Sequence, residues 1–351
     1  MLDYLIVGLG IAGVSFCETL EKNGKSFRVI SDSSQTSSKV AAGMYNPVIL
    51  KRFSLTWKAL EQMEMVVPFY QNLEHKLKVK LDYKLSVVRR FASIEEQNLW
   101  FEASDKIGLQ QFLSTQLISN NNPGIDAPFG FGEVLNTGRI NTNLLLESYK
   151  EYLIEKDLFK NETFQHDKLD HTDSGITYGE ISAKCIVFAE GFGMQNNPYF
   201  NYLPITGTKG ELLTIKAPEL KESLAVKSSI FIIPFGQDLY RVGATYKWKD
   251  KTNVPTQEAK DELLEKLETF LRCDYEVVDH VAGIRPTVTD RRPLVGRHPE
   301  HKNFYVLNGF GSRGVMIGPY ASNQLYNAIE NIEPIAAEMD IERFRKKYTT
   351  V

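Results

Sequence analysis

Apolar and polar positions along the chain fall into short strand-length runs broken by stretches of helical periodicity. Leu2 to Val7 is an apolar run of strand length. A helical pattern opens at Ile11, continues through Val14, Phe16, Cys17 and Leu20, and stops at Asn23-Gly24, a C-cap signal. Phe27 to Ser31 is a second strand, followed by the small polar loop SSQTSSKV. Leu55 to Leu77 reads as helix, with Pro68 a kink or break. Val79 to Ala92 alternates in places and is rich in Val, Leu and Tyr, which predicts strands; Ile94 to Leu117 returns to helix. Asn120 to Gly124 is a loop by composition, Phe129 to Asn136 a strand, and Asn141 caps a helix through Leu144, Leu145, Tyr149 and Leu153.

A hairpin pattern from Phe164 to Tyr178 precedes a buried strand, Ile181 to Ala189, that runs into Glu190-Gly191-Phe192-Gly193. Strand patterns dominate residues 205 to 250. Thr256 caps a helix with Leu263, Leu264, Leu267, Phe270 and Leu271 on one face, and Val277 to Gly283 is another strand. The last section holds GIRPTVTDRRPLVG, a strand at FYVLNGF, and GSRGVMIGPYASNQLYNAI opening a long helix. The texture of alternating strand and helix at both ends and around 140–193, with a strand-rich region between, predicts an α/β fold. One Rossmann-like nucleotide-binding domain (1–76, 140–202 and 284–351) is expected to be interrupted by a mainly antiparallel α+β domain (77–139 and 203–283).

The first thirteen residues carry the chemistry. Gly8, Gly10 and Gly13 stand at G-x-G-x-x-G spacing between the first strand and the first helix. In a dinucleotide fold such glycines make the tight turn, admit a pyrophosphate to the backbone and let helix pack on strand. The N–H groups of Ile11, Ala12 and Gly13 then face the phosphates. Asp32 follows the second strand, nineteen positions after Gly13, where an acid accepts hydrogen bonds from an adenosine ribose. Small residues and then larger ones, Ala41-Ala42-Gly43-Met44-Tyr45, suit a segment pressed against something flat. Ala189 and Gly191 mark a second place where backbone closes on the nucleotide. Gly311-Ser312-Arg313-Gly314, leading into Val315 and Met316, is a second glycine turn entering a helix and suits another electron-rich part of the same extended ligand. Arg285 sits among stiff, apolar residues at a strand end, either as a structural ion-pair partner or as a carboxylate fork. Arg313 either lies beside the ligand or points to an entrance.

Composition narrows the options. The 351 residues are 42% hydrophobic and 24% charged, those of an ordinary water-soluble protein, and a net charge of −3 gives no global basic field for nucleic acid or membrane. Cys17, Cys185 and Cys273 are far apart and odd in number, so buried thiols are expected rather than disulfides or a metal site. With no charged and apolar leader pattern ahead of the first strand and no run of membrane-span length, a cytoplasmic location is expected.

Together these motifs resemble the D-amino-acid oxidase superfamily of FAD-dependent oxidoreductases, including its glycine-oxidase-like members, over essentially the whole chain. GLGIAG with Asp32 is similar to its nucleotide fingerprint, Ala41 to Met44 to the segment beside the flavin, and Val187 to Gly191 to the strand closing the adenine side. Gly283-Ile284-Arg285-Pro286 with Asp290, Pro293 and Gly296, and then Gly309 to Gly314, are similar to the family's later motifs. The Gly-Ser-Arg-Gly form is closest to the oxidoreductase domain of the bifunctional tRNA wobble-uridine modifying enzymes. The resemblance implies noncovalent FAD and oxidation of a C–N bond in a small amine or amino acid by hydride transfer, with the product imine then hydrolysed. Arg285 would hold the substrate carboxylate, Tyr45, Tyr246 and Met44 would line the cavity, and Lys209, Lys247 and Lys249 are candidates for a lysine over the flavin. Oxidation of a carboxymethylaminomethyl group on tRNA, and a non-catalytic redox sensor, are the alternatives; a plain NAD dehydrogenase fits the first motif but not the later ones.

Overall fold

The computed structural model describes residues 1–348; the last three positions of the expected 284–351 segment lie outside them. Two large sheets organise the chain. The first is built on parallel neighbours: Phe159–Asn161, Phe27–Ser31, Leu2–Val7 and Ile181–Phe188 lie side by side in that order, and Phe304–Asn308 continues beyond Ile181–Phe188. The register pairs Val7 with Ile30 on one side and with Phe188 on the other, so the carboxyl ends of these strands form one common edge. Ligands of open parallel sheets bind outside that edge. The hairpin of Leu169–Thr172 and Gly175–Tyr178 adds antiparallel strands, as does Leu294–Arg297.

The second sheet runs Glu276–Arg285, Thr208–Lys216, Leu239–Gly243, Phe231–Gly236, Ala225–Lys227, Val87–Arg90, Phe131–Val134 and Leu113–Ile118. Its neighbours are antiparallel except Ala225–Lys227 against Val87–Arg90. One face packs on the helix Gln257–Glu268 through Leu263 and Leu267, both fully buried. That helix is capped by Thr256, whose hydroxyl accepts from the Ala259 amide, as its sequence predicts. The other face is turned toward the first sheet's carboxyl edge. A small third sheet, Met44–Tyr45, Gly138–Ile140 and Asp82–Lys84, joins the two.

Three sequence expectations change. The helix expected over Ile94 to Leu117 ends at Ser104, and Leu113–Ile118 is the edge strand of the second sheet. Pairing with Phe131–Val134, remote from this segment's own periodicity, makes it a strand. The helix expected from Leu55 begins at Ala59, because Ser54-Leu55 pairs with Val48-Ile49. The polar loop after Asp32 contains a helical turn, Ser37–Val40.

The opening helix, Ile11–Lys22, is buried almost all round its first half. It lies between the first sheet and the late helix Gly314–Glu330, and close approach is permitted by glycine. A side chain at Gly13 would meet the Gly8 carbonyl oxygen at 2.1 Å, and one at Gly318 would meet Ser15 Oγ at 2.5 Å. The Gly13→Ala variant is expected to lose about 1–3 kcal/mol of stability, the usual cost of overpacking, in urea titrations; a Gly24→Ala variant, which meets nothing, reports the backbone cost alone.

Candidate active site

One cavity of about 930 Å³ lies between the carboxyl edge of the first sheet and the facing surface of the second. Its size is at the upper end of the roughly 300–1,000 Å³ of small-molecule and cofactor pockets, which suits an extended ligand. Both glycine turns open onto it: Gly8, Gly10, Ile11 and Ala12 from the opening, and Gly311 through Met316 from the far end of the chain. Gly13 is not in its wall; it serves the packing of helix on turn.

Each turn is held by contacts remote in sequence. The Leu9 amide donates to Ser31 Oγ at the end of the second strand, and the Ile11 amide donates to Ser38 Oγ in the Ser37–Val40 turn. The Gly311 amide donates to the Pro286 carbonyl, and Asn308 Nδ2 donates to the Gly191 carbonyl, so the two later motifs and the Glu190–Gly191 turn form one unit. Pro319 deprives the Val315 carbonyl of its helical partner; the buried Tyr70 hydroxyl donates to that oxygen at 3.1 Å instead.

Asp32 lies in the cavity wall beside the first turn. Its Oδ1 accepts from the Ser34 amide at 2.9 Å and the Ser34 hydroxyl at 2.6 Å, and Oδ2 accepts from Thr163 Oγ1 at 2.8 Å. Burial pushes its pKa up, but the Ser34 and Thr163 bonds outweigh it and hold the carboxyl below its ordinary value. It is therefore an anion with acceptor capacity left. Ala189 and Gly191 line the same end. Glu190 there accepts from His166 Nε2 at 3.1 Å and from Asn197 Nδ2 at 2.7 Å.

Arg285 projects from the last residue of its strand across the second sheet. Its guanidinium lies over the backbone of Gly210, where any side chain would come within 2.0 Å of it. It stacks on the Tyr246 ring at 4.3 Å from the centroid and donates through Nη1 to the Thr245 carbonyl at 3.1 Å. Among the described residues no carboxylate lies within ion-pair distance of it. Burial pulls its pKa below the ordinary arginine value, with Tyr246 opposing. Of the two alternatives open in the sequence, this arrangement leaves the fork free toward the cavity. Arg313 also lines the cavity; burial lowers its pKa, Tyr246 raises it, and Arg291 and Arg292 lower it further.

Ala41, Ala42, Gly43 and Met44 are in the wall, but Tyr45 is not. Strand alternation turns the Tyr45 ring into the core, where its hydroxyl donates to Asp82 Oδ1 at 2.7 Å and accepts from Lys84 Nζ. That places Tyr45 away from any reacting atoms and corrects its expected place in the cavity. The three candidate lysines also point elsewhere. Lys209 is fully buried and paired to Asp250 at 2.5 Å, Lys247 is paired to Glu258 and Glu262, and Lys249 is outside the cavity wall.

Lys227, absent from the sequence expectations, is the lysine of the second sheet that lines the cavity. Its Nζ donates to the Ser229 carbonyl at 2.7 Å and lies 5.0 Å from the Phe231 centroid. Burial, then Arg89 and Lys266, push its pKa down to about 8. The available signal was a lone cation inside AVKSSIFIIPF, an otherwise apolar hairpin.

The wall fits an extended dinucleotide with a flavin. One glycine turn with the acidic Asp32 suits the adenosine diphosphate part, and the second turn, across the cavity, offers helix N–H groups to an electron-rich ring edge. Comparison with known proteins agrees. A family model described as FAD dependent oxidoreductase (DAO) matches residues 3–326. The bifunctional tRNA 5-methylaminomethyl-2-thiouridine biosynthesis protein MnmC of Legionella pneumophila (strain Lens) is 23% identical over 374 residues, covering 93% of this chain and 54% of that protein. Glycine oxidase of Bacillus subtilis is 23% identical over 223 residues, covering 59% of this chain and 60% of that one. The chain thus spans little more than half the length of these relatives. The crystal structure of glycine oxidase from Geobacillus kaustophilus superposes with a TM-score of 0.77 at 19% identity, over 98% of this chain and 97% of that one.

The Lys227 amine carries a signed pH effect. Its folded pKa of about 8 lies below the ordinary 10.5, so the unfolded chain binds the extra proton between those values. Unfolding free energies of wild type and Lys227→Met are expected to diverge in favour of wild type as pH rises from about 8 to 10. Urea melts that give a constant difference would place the amine in open solvent.

Proposed function

Because the chain belongs to the FAD-dependent oxidoreductases of the DAO family, whose model spans nearly all of it, we propose that it oxidises the C–N bond of a carboxylate-bearing amine or amino acid. The observation that carries this reading is Arg285. It is a largely desolvated guanidinium with no acidic partner among the described residues, held flat by Gly210 and Tyr246 in the cavity that both glycine turns share. Burying such a charge is costly unless a counter-charge arrives, and the planar fork matches a carboxylate with two parallel bonds.

FAD is the cofactor, and it supplies an acceptor for the hydride leaving the carbon next to a neutral amine. Gly8, Gly10, Ile11 and Ala12 would hold its pyrophosphate, Asp32 its ribose, and Ala41 to Met44 with Gly311 to Met316 its ring system. Among the described residues no cysteine lines the cavity, and the cofactor is taken as noncovalent. Arg285 would fix the substrate by its carboxylate, Tyr246 would cover the guanidinium, and Leu212, Phe231 and Ile233 would exclude water from the amine. Lys227 would hold a proton near the reacting end up to about pH 8. The residues assigned to the cofactor come from the expected nucleotide-binding segments 1–76, 140–202 and 284–351; Tyr246 and Lys227 come from the inserted segments. Three free thiols accord with a reducing, cytoplasmic setting.

A second reading keeps the chemistry and changes the carrier. The likeness to MnmC over 93% of this chain favours a carboxymethylaminomethyl group on tRNA, which also presents a secondary amine and a carboxylate. The test separates the two. Anaerobic mixing of the FAD-loaded protein with a panel of amino acids should bleach the flavin; bleaching only by modified tRNA supports the second reading, and no bleaching by either leaves a redox sensor. Arg285→Ala is expected to lower kcat/KM for carboxylate substrates by about 2–5 kcal/mol, mostly through KM, while Arg285→Lys recovers part of it. Unchanged kinetics in both variants would remove the arginine from the site.

A further inference from the structure

Beyond the main cavity, on the other side of the Ser37–Val40 turn, lies a second cavity of about 580 Å³. The two share only Lys39 and Val40 in their walls. The second is dominated by cations. Arg139, from the small connecting sheet, and Arg241, from the second sheet, approach one phenyl ring: their guanidinium carbons lie 3.9 and 5.3 Å from the Phe235 centroid. Arg139 also lies 4.9 Å from the Tyr83 centroid.

Neither guanidinium has a counter-charge. Among the described residues no ion pair or hydrogen bond reaches the Arg139 or Arg241 side chain, and Nε and Nη1 of Arg241 are buried with no partner. Arg139 is buried as a residue. Among the described residues no aspartate or glutamate lines the cavity. Asp279 acts on Arg241 only from beyond ion-pair distance, and Asp82, at the margin, is already paired to Lys84 at 2.9 Å. Burial lowers the pKa of both arginines; Tyr83 opposes this at Arg139 and Arg241 adds to it, while Asp279 opposes it at Arg241. A shared aromatic ring offsets part of this cost, but an uncompensated pair of buried like charges remains expensive.

We propose that this cavity binds a phosphate-bearing ligand, with Arg139 and Arg241 taking its phosphoryl oxygens. Two unopposed cations match a phosphate dianion, whereas one carboxylate would balance only half of the charge. Lys39 at the margin adds to the field, whereas Lys84 is neutralised by Asp82. Of the two asparagines in the wall, Asn143 Nδ2 donates to Glu147 and Asn141 Oδ1 accepts from the Leu144 amide, which leaves the Asn141 Nδ2 group as a further donor. Tyr83, 40% exposed, stands in the same wall with its ring beside Arg139. The site is separate from the oxidation chemistry, so it stands whether or not an amino acid is the substrate.

The test uses protein saturated with FAD, so that the Gly8–Gly13 turn is filled. Pyrophosphate, and separately a short oligoribonucleotide without terminal phosphates, are titrated calorimetrically at fixed ionic strength. Pyrophosphate should bind once per chain, and Arg139→Gln and Arg241→Gln should each weaken it about tenfold or more. Arg→Lys variants at the two positions keep the charge, lose the fork and should fall between; FAD content reports folding in all of them. Binding of pyrophosphate alone supports a free phosphorylated ligand. Oligonucleotide binding that competes with pyrophosphate and fails in the same variants supports a nucleic-acid source of the phosphate. No binding of either probe, or binding equal in wild type and Gln variants, overturns the proposal.

Discussion

The close crossing of two helices from opposite ends of the chain is the constraint on which the site depends. Gly318 lets the late helix press onto Ser15 of the opening helix, at a distance that any side chain would forbid. A side chain at Gly314 would lie 3.7 Å from Ile11, in ordinary contact, so the helices run side by side from their first turns to the tight approach one turn on. The positive ends of two helices are thereby aimed at one volume. The two partial positive charges are complemented by an electron-rich ligand, so the close packing that the glycines permit also favours the cofactor.

The substrate side follows a parallel logic on the second sheet. Gly210 leaves its face bare beneath the cavity and Arg285 lies across it, while Gly283 makes room for Val40 and Ser37 of the neighbouring turn. The bulk missing at Gly210 is supplied by the Arg285 guanidinium, which the Tyr246 ring covers in turn. Orientation of the bound group, rather than a strong acid or base, is what such a surface provides, in keeping with chemistry driven by an amine lone pair.

Much of this was legible in the sequence, and the reasons differ by residue. Gly8, Gly10 and Asp32 were readable because strand, turn, helix, strand and acid are local and their spacing is fixed by backbone geometry. Arg285 was readable as a cation among stiff, apolar neighbours, but its lack of an acid partner is a tertiary fact. Tyr45 was misplaced because alternation decides which of two successive residues, Met44 or Tyr45, faces the cavity, and the register with Gly138 and Arg139 is not local. Lys227 was missed because a single lysine between Val226 and Ser228 carries no spacing signal; only the sheet shows it facing the cavity. The Leu113–Ile118 strand was read as helix for want of its partner, Phe131–Val134.

The central claim, that one molecule is gripped by both turns, is tested most directly by amide hydrogen exchange with and without FAD. The account predicts that FAD slows exchange at Gly10 to Gly13 and at Gly311 to Met316 together, with the same concentration dependence. Protection confined to the first turn, with the second exchanging as in the free protein, would contradict it.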